Sequence, residues 1–180
     1  MKVGSVPYRS IWLNENGWAA DIIDQTCLPH AFLIKTLSTM QDAAEAISVM
    51  RVRGAPLIGA TAAYGMALAM RADASDDNLQ KAYASLLATR PTAVNLRWAL
   101  VRMQEALTGL PDIERPAKAY QLAAEICDED VEINRAIGRH ALGVIRELWQ
   151  QKPAGSETFH ILTHCNAGWL AFVDYGSATA

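Results

Sequence analysis

The period of hydrophobic and polar positions changes along this chain, and the changes mark its elements. Residues 9–37 read as antiparallel β structure. Ser10 to Leu13 and Trp18 to Gln25 flank Asn14-Glu15-Asn16-Gly17, and an Asn-Gly pair between two such runs signals a hairpin turn. Pro29 ends the second run, and Ala31 to Thr36 predicts a third strand. From Thr39 the period becomes helical: Ala43, Ala44, Ala46, Ile47 and Met50 form a stripe, with Ser38 or Thr39 as the cap. Pro56 to Ala72 predicts a central helix, because Gly59, Ala60, Ala62, Ala63 and Gly65 let other helices approach closely. After a capped turn at Ala74-Ser75-Asp76-Asp77, helices are expected over Leu79 to Thr89 and Thr92 to Leu110. Leu96, Ala99, Leu100 and Met103 form the inner stripe of the second. Pro111 and Pro116 mark a connection. A long helical pattern then runs from Ala117 to Gln150, with a break expected near Gly138 or Gly143.

Gln151-Lys152-Pro153-Ala154-Gly155-Ser156 reads as a linker. Phe159 to Thr163 predicts a short buried strand that runs into the polar loop His164-Cys165-Asn166-Ala167-Gly168, and a helix start is expected near Tyr175 to Ala180. The fold class is therefore α+β. A small antiparallel β unit and a helical bundle make an N-terminal domain (1–150), and the truncated start of an α/β Rossmann-like domain follows (151–180). In open α/β sheets, ligands bind at the carboxyl ends of the strands, which is where Cys165 would lie.

Composition narrows this picture. With 180 residues, 51% hydrophobic and 19% charged, the chain is globular and not disordered. A net charge of −3 gives no basis for nucleic-acid binding as a main role, so any anion site must be a local basic cluster. Cys27, Cys127 and Cys165 are odd in number, widely spaced and without a CxxC. That argues against a disulfide framework or a zinc site and suits a reducing cytoplasm. The residues after Met1 lead into no long apolar core, so no signal peptide is expected. The most apolar run, Ala55 to Met70, is too short to span a bilayer.

Two places share one chemical design. Arg53-Gly54-Ala55-Pro56 opens one helix and Arg90-Pro91-Thr92 another. Proline suits the first helical position because its missing N–H would have no partner there. The free N–H groups of the first turn, at the positive end of the dipole, attract anions. Gly54 allows close approach of a ligand to the backbone, and each arginine adds a planar fork that matches phosphate or carboxylate. Two such starts could converge on one phosphorylated ligand; the plainer alternative is ordinary helix starts with solvated or salt-bridged arginines. Cys165 could act as nucleophile, weak acid or polar wall, or be a small buried hydrophobe. His164 cannot readily pair with it, since neighbours on an extended chain point apart. The run Glu125, Asp128, Glu129, Asp130, Glu132 has the spacing of a solvated helix face, and no histidine is placed to make it a metal site. His30, His140 and His160 are isolated, and Trp12, Trp18, Trp98 and Trp149 read as core aromatics. Trp169 follows the Cys165 loop directly and could wall an apolar pocket.

At Val52-Arg53-Gly54-Ala55-Pro56-Leu57-Ile58-Gly59, Arg90-Pro91-Thr92-Ala93-Val94-Asn95-Leu96 and Leu162-Thr163-His164-Cys165-Asn166-Ala167-Gly168, the chain resembles the S-methyl-5-thioribose-1-phosphate isomerases. Their fold family also holds the α, β and δ regulatory subunits of eIF2B and ribose-1,5-bisphosphate isomerase. The resemblance covers essentially the whole chain. It implies an aldose–ketose isomerase of methionine salvage, an intramolecular oxidoreductase that turns 5-methylthioribose 1-phosphate into 5-methylthioribulose 1-phosphate. The C1 phosphate blocks simple opening to an aldehyde. Either a proton then moves through an enediol-type intermediate or a hydride moves from C2 to C1, in a site with little water. No metal or organic cofactor is implied, and the resemblance suggests a cytoplasmic homodimer at full length. Arg53, Gly54, Ala55 and Arg90 match the family's substrate and phosphate contacts, and Cys165 its active-site cysteine. The family's essential Asp, a substrate-contacting Gln and an Asn-Lys pair come later than Ala180, so the expectation is an N-terminal part that is inactive alone. Trp169 and Phe172 are bulkier than many members carry. Two other readings stay open. A ribose-1,5-bisphosphate isomerase would need cations where a methylthio group needs an apolar pocket. A non-catalytic eIF2B-like regulatory subunit would have no use for the intact Cys165 motif.

Overall fold

The computed structural model describes residues 1–153, 155 and 157–180. The expected linker 151–156 therefore lies partly outside the described residues, at Ala154 and Ser156. A two-stranded hairpin, β1 (Lys2–Val3) with β2 (Val6–Pro7), comes first; no hydrophobic alternation announces it. The expected β unit follows as an antiparallel sheet of β3 (Ile11–Leu13), β4 (Ala20–Ile23) and β5 (Ile34–Leu37), with β4 in the middle. Ile11 pairs with Ile22, and Ile23 with Ile34. The connection from β3 to β4 is wider than a two-residue turn. Asn14 Oδ1 accepts from Asn16 N–H, and Asn16 Oδ1 from Trp18 and Ala19 N–H. These side chains take up backbone donors that a tight hairpin would have paired across the strands.

Helix α1 (Met40–Ser48) begins at Thr39, whose hydroxyl accepts from Asp42 N–H while the Asp42 carboxylate accepts from Thr39 N–H. This reciprocal cap is worth roughly 1 kcal/mol. Helix α2 (Ala55–Ala72) is the axis of the molecule, and every residue from Leu57 to Met70 is buried. Its small residues set how near the others come. A Cβ at Gly59 would lie 2.9 Å from the Asn95 carbonyl oxygen, so the start of α4 (Val94–Leu107) rests on α2 there. A Cβ at Gly65 would meet Leu86 Cδ2 at 3.0 Å and Ala43 Cβ at 3.1 Å, where α3 (Asp76–Thr89) and α1 close in. Buried Arg115 ties the turns together, donating to the carbonyls of Leu110 and Ala74 and to the Asp76 carboxylate.

Helix α5 (Arg115–Gln150) runs unbroken, contrary to the expected interruption. A glycine inside a helix costs about 1 kcal/mol but leaves the hydrogen-bond ladder intact, so Gly138 and Gly143 weaken it without breaking it. Its first half buries Ala119, Leu122, Ala123, Ile126, Cys127, Val131 and Asn134. Beyond Asn134 it is mostly exposed, at Ile137, Leu142, Val144, Leu148 and Trp149 among others, although Ala180 packs on Gly138. Trp98 and Trp149 are therefore not the core aromatics expected; both are surface residues. The strand expected at Phe159–Thr163 does not form among the described residues. Ile161 and Leu162 are 64% and 99% exposed: no neighbouring strand offers them a ladder, and a parallel strand takes its regularity from such neighbours. The helix expected at Tyr175–Ala180 is replaced by turns, because Tyr175 and Gly176 have φ of 66° and 82°, outside the helical region. A 3-10 turn at Trp169–Ala171 is the one helical piece after α5 among the described residues.

The packing predicts a contrast between glycines. Gly59→Val should lower unfolding free energy by about 1–3 kcal/mol through overpacking against α4. Gly143→Ala, in open space on exposed helix, should raise it by about 0.5–1 kcal/mol. Urea titration of both variants checks this; equal effects would contradict the packing described.

Candidate active site

Arg51 fixes the approach to α2. Its guanidinium binds the Asp24 carboxylate at 2.5 Å and Glu45 at 3.0 Å, and its carbonyl accepts from Gln25 N–H. Burial alone would raise the Asp24 pKa, but hydrogen bonds from Thr26 and Arg51 outweigh it and hold the carboxyl below its usual value. Two residues on, Arg53 is exposed. Gly54, with φ 98°, is the N-cap of α2, Ala55 the first helical residue and Pro56 the second. Arg90 is placed differently from the expectation. It closes α3, its carbonyl accepts from Ala93 N–H at 3.0 Å, and α4 starts only at Val94. Pro91 and Thr92 thus form a turn ahead of the helix, because that bond closes a four-residue turn before the helical ladder begins.

These two entrances and the Cys165 loop share one cleft of about 510 Å³. Its walls include Arg53, Gly54, Ala55, Arg90, Asn95, Cys165 and Asn166. The residues expected to contact a ligand, Arg53, Gly54, Ala55, Arg90 and Cys165, all line it, and no Asp or Glu is among the lining residues. Neither Arg53 nor Arg90 makes an ion pair among the described residues. The N-caps Gly54 and Ala93 supply no side-chain hydrogen bond, and neither first turn carries an acidic residue. The leading N–H groups of α2 and α4 are left without side-chain partners. Two cations and two uncapped helix starts, with no carboxylate, make a cleft suited to an anion. Met50, Ile58 and Val94 add apolar wall. Cys165 is exposed and has φ 64°; the left-handed conformation turns the chain sharply at the thiol.

Residues 169–174 act as a strap that brings this loop to the arginines. Ser10 N–H donates to the Val173 carbonyl at 2.8 Å, Gln25 Nε2 to the Leu170 carbonyl at 2.7 Å, and Val173 N–H to Asp130 Oδ2 at 2.7 Å. Ala171 and Val173 are fully buried. The close approach that Gly54 permits is to this strap: a Cβ there would sit 2.4 Å from Ala171 Cα. The expectation that Gly54 serves contact with a ligand is to that extent redirected. Trp169 does not line the cleft; its indole N–H is buried and finds no partner among the described residues. Asp130 departs from the solvated face assigned to the acidic run. Its position three and four residues after Cys127 and Ile126 puts it on the buried face of α5, a signal that was present in the sequence. Burial raises its pKa, partly offset by Val173 N–H and the Asn134 amide.

Residues 51–174 match the initiation factor 2 subunit family. The chain belongs to that family. The methylthioribose-1-phosphate isomerase of Brucella anthropi is 60% identical over 180 residues, 100% of this chain and 49% of that protein. That of Rhodospirillum centenum is 56% identical, again over 100% of this chain and 48% of the relative. The chain thus spans about half the length of the curated relatives it matches. Among solved structures, the 5-methylthioribose 1-phosphate isomerase of Pyrococcus horikoshii superposes with a TM-score of 0.77 at 37% identity, covering 94% of this chain and 47% of that one. The eIF-2B delta subunit of A. fulgidus gives the same TM-score, 0.77, at 36% identity, covering 94% and 48%. The expected family is therefore the right one, and within it the α+β part stands, while no Rossmann-like start forms among the described residues. No helix among the described residues is long and apolar enough to cross a membrane.

The strap gives a pH-dependent prediction. A carboxyl whose folded pKa is raised lends stability that is present below its unfolded pKa and lost as pH rises through the folded one. Asp130→Asn keeps an acceptor for Val173 N–H and removes that loss, so its stability relative to the wild type should increase from acid to neutral pH. Asp130→Ala leaves the N–H unpaired and should cost about 1–3 kcal/mol. Equilibrium unfolding at both pH values checks this; a pH-independent difference for Asp130→Asn would contradict it.

Proposed function

We propose that this chain supplies the phosphate-binding and thiol-bearing part of an aldose–ketose isomerase acting on 5-methylthioribose 1-phosphate in methionine salvage. The observation that carries the reading is the single cleft holding Arg53, Gly54, Ala55, Arg90 and Cys165 with no carboxylate in its lining. The names of the relatives identical at 56–60% across the whole chain support the substrate. In this reading Arg53 and Arg90 clamp the C1 phosphate, assisted by N–H groups at the starts of α2 and α4. The phosphate then fixes the sugar with C1 and C2 towards the Cys165 loop. The thiol serves as a weak acid or hydrogen-bond donor to the oxygen whose charge grows as hydrogen leaves C2. Residues 1–150 form the unit that holds the phosphate. Residues 157–163 would become the first strand of an α/β domain once flanked by partner strands, and the remaining acid–base group would come from there. A non-catalytic role like that of the eIF-2B delta subunit is the second reading, favoured by the equal likeness of that structure.

Calorimetric titration of the chain with 5-methylthioribose 1-phosphate tests the clamp. Arg53→Ala and Arg90→Ala should each weaken binding by about 1.5–3 kcal/mol, the worth of a charge-assisted hydrogen bond. Unchanged affinity in both variants would overturn the phosphate assignment. Fusing the chain to the second half of the Brucella anthropi relative tests the thiol. Cys165→Ser should lower kcat while KM stays near constant; an effect on KM alone would leave Cys165 a binding residue.

A further inference from the structure

Two further clefts lie outside the arginine cleft. One, an apolar cleft of about 460 Å³ walled in part by Trp98 and Phe172, shares Val94 and Asn95 with it. The other, of about 540 Å³, shares no lining residue with it. This last cleft opens on the outer face of the three-stranded sheet. Ile11, Ala20, Ile22 and Leu37 belong to the core on the inner face, while Trp12, Asp21 and Thr36, aligned across the strands, take the other face. We propose that the outer cleft binds a small organic ammonium ion. The proposal stands apart from the sugar-phosphate reading of the arginine cleft.

Charge and ring surface together point to that class. Asp21 lines the cleft and is 8% exposed. Its Oδ2 accepts from the Asn14 amide at 2.7 Å and its Oδ1 from the Thr36 hydroxyl at 2.6 Å. Both donors are neutral. Neither Asp21 nor Glu15, which also lines the cleft, has an ion-pair partner among the described residues. Asp24, buried to a similar degree, has Arg51. Arg9 is part of the wall, but its guanidinium is engaged by Asp128 at 2.7 Å. A buried carboxylate calls for a compensating cation, and the cleft is where one can enter.

The rings say what kind of cation. Tyr8 and Trp12 lie 5.9 Å apart with their planes inclined at 54°, and Phe32 braces Tyr8 edge-on at 5.1 Å. A ring face attracts a cation through its quadrupole. Trp18, Trp98 and Trp149 each have one of the protein's own cations over the ring, from Arg71, Arg102 and Lys152. No such cation stands over Tyr8 or Trp12 among the described residues. A bare metal ion fits less well, because no group of three His, Cys, Asp or Glu side chains among the described residues is placed to hold one. An ammonium ion that carries methyl or methylene groups meets both features. Its charge faces Asp21 and Glu15, and its carbon surface lies against the rings.

The test is NMR titration of the chain with choline, with 3,3-dimethylbutanol as its uncharged counterpart of the same shape, and with potassium chloride. The readout is the indole N–H resonance of Trp12, assigned through Trp12→Phe. Choline should move that signal saturably and bind roughly tenfold more tightly than the alcohol, as for a cation against partly desolvated rings. Potassium, which has no carbon surface, should leave the signal in place. Asp21→Asn removes the buried charge with little change of shape and should bring choline down to the affinity of the alcohol. Glu15→Gln, at an exposed position of the β3–β4 loop, should weaken choline about two- to fivefold, as for a surface charge, and leave the alcohol unchanged. Should Asp21→Asn fail to fold by circular dichroism, Glu15→Gln and the comparison with the alcohol decide. Equal affinity for choline and the alcohol would overturn the proposal, as would a choline affinity that the carboxylate variants do not change. A potassium shift as large as that of choline would reduce the cleft to a pair of carboxylates and overturn it too. So would the absence of any saturable choline shift at Trp12.

Discussion

The candidate site depends on the seating of the 169–174 strap on the N-terminal unit. Hydrogen bonds from Ser10 and Gln25 to the strap, and from the strap to Asp130, hold it at three separate places: just before β3, just after β4 and on α5. The buried side chains of Ala171 and Val173 exclude water from those bonds, which strengthens them relative to exposed ones. The approach is possible only because position 54 lacks a side chain, with Ala171 Cα where a Cβ would be. Glycine there serves the backbone twice, through its φ of 98° and through this contact.

From that constraint the electrostatics follow. The strap places Cys165 and Asn166 over the starts of α2 and α4, where positive charge gathers and no carboxylate intervenes. Glu129 and Asp130 of α5 lie against the apolar cleft instead. A mildly acidic protein thus separates a cationic cleft from an apolar one with carboxylate edges. Among the described residues the two clefts share only a pair of walls, Val94 and Asn95.

Much of this was legible in the sequence, for physical reasons that differ by element. Helix α2 was readable because small residues at close spacing have few other uses, and Thr39 because capping needs particular side chains. The cleft residues were readable only in part: Arg53-Gly54-Ala55-Pro56 does open α2, whereas Arg90 closes α3 and Pro91-Thr92 form a turn ahead of α4. What stayed hidden is long-range. The β3–β4 loop widened because Asn14 and Asn16 captured backbone donors. The segment 157–163 has the composition of a buried strand, yet composition cannot supply the neighbours that make a strand. Gly138 and Gly143 read as breaks, but one missing methyl group does not undo a helix secured by its buried first half. Trp98 read as core because large aromatics usually are; it is surface because it borders a cleft.

Paramagnetic relaxation by a spin label on Cys165, in a Cys27→Ser background with Cys127 buried, tests most directly whether the strap brings thiol and arginines together. The account predicts strong broadening of the amide signals of Gly54, Ala55 and Asn95, while amides at the far end of α5 stay sharp. Uniformly weak broadening at Gly54, Ala55 and Asn95 would mean that the Cys165 loop does not dwell over the arginine cleft, and would contradict the account at its centre.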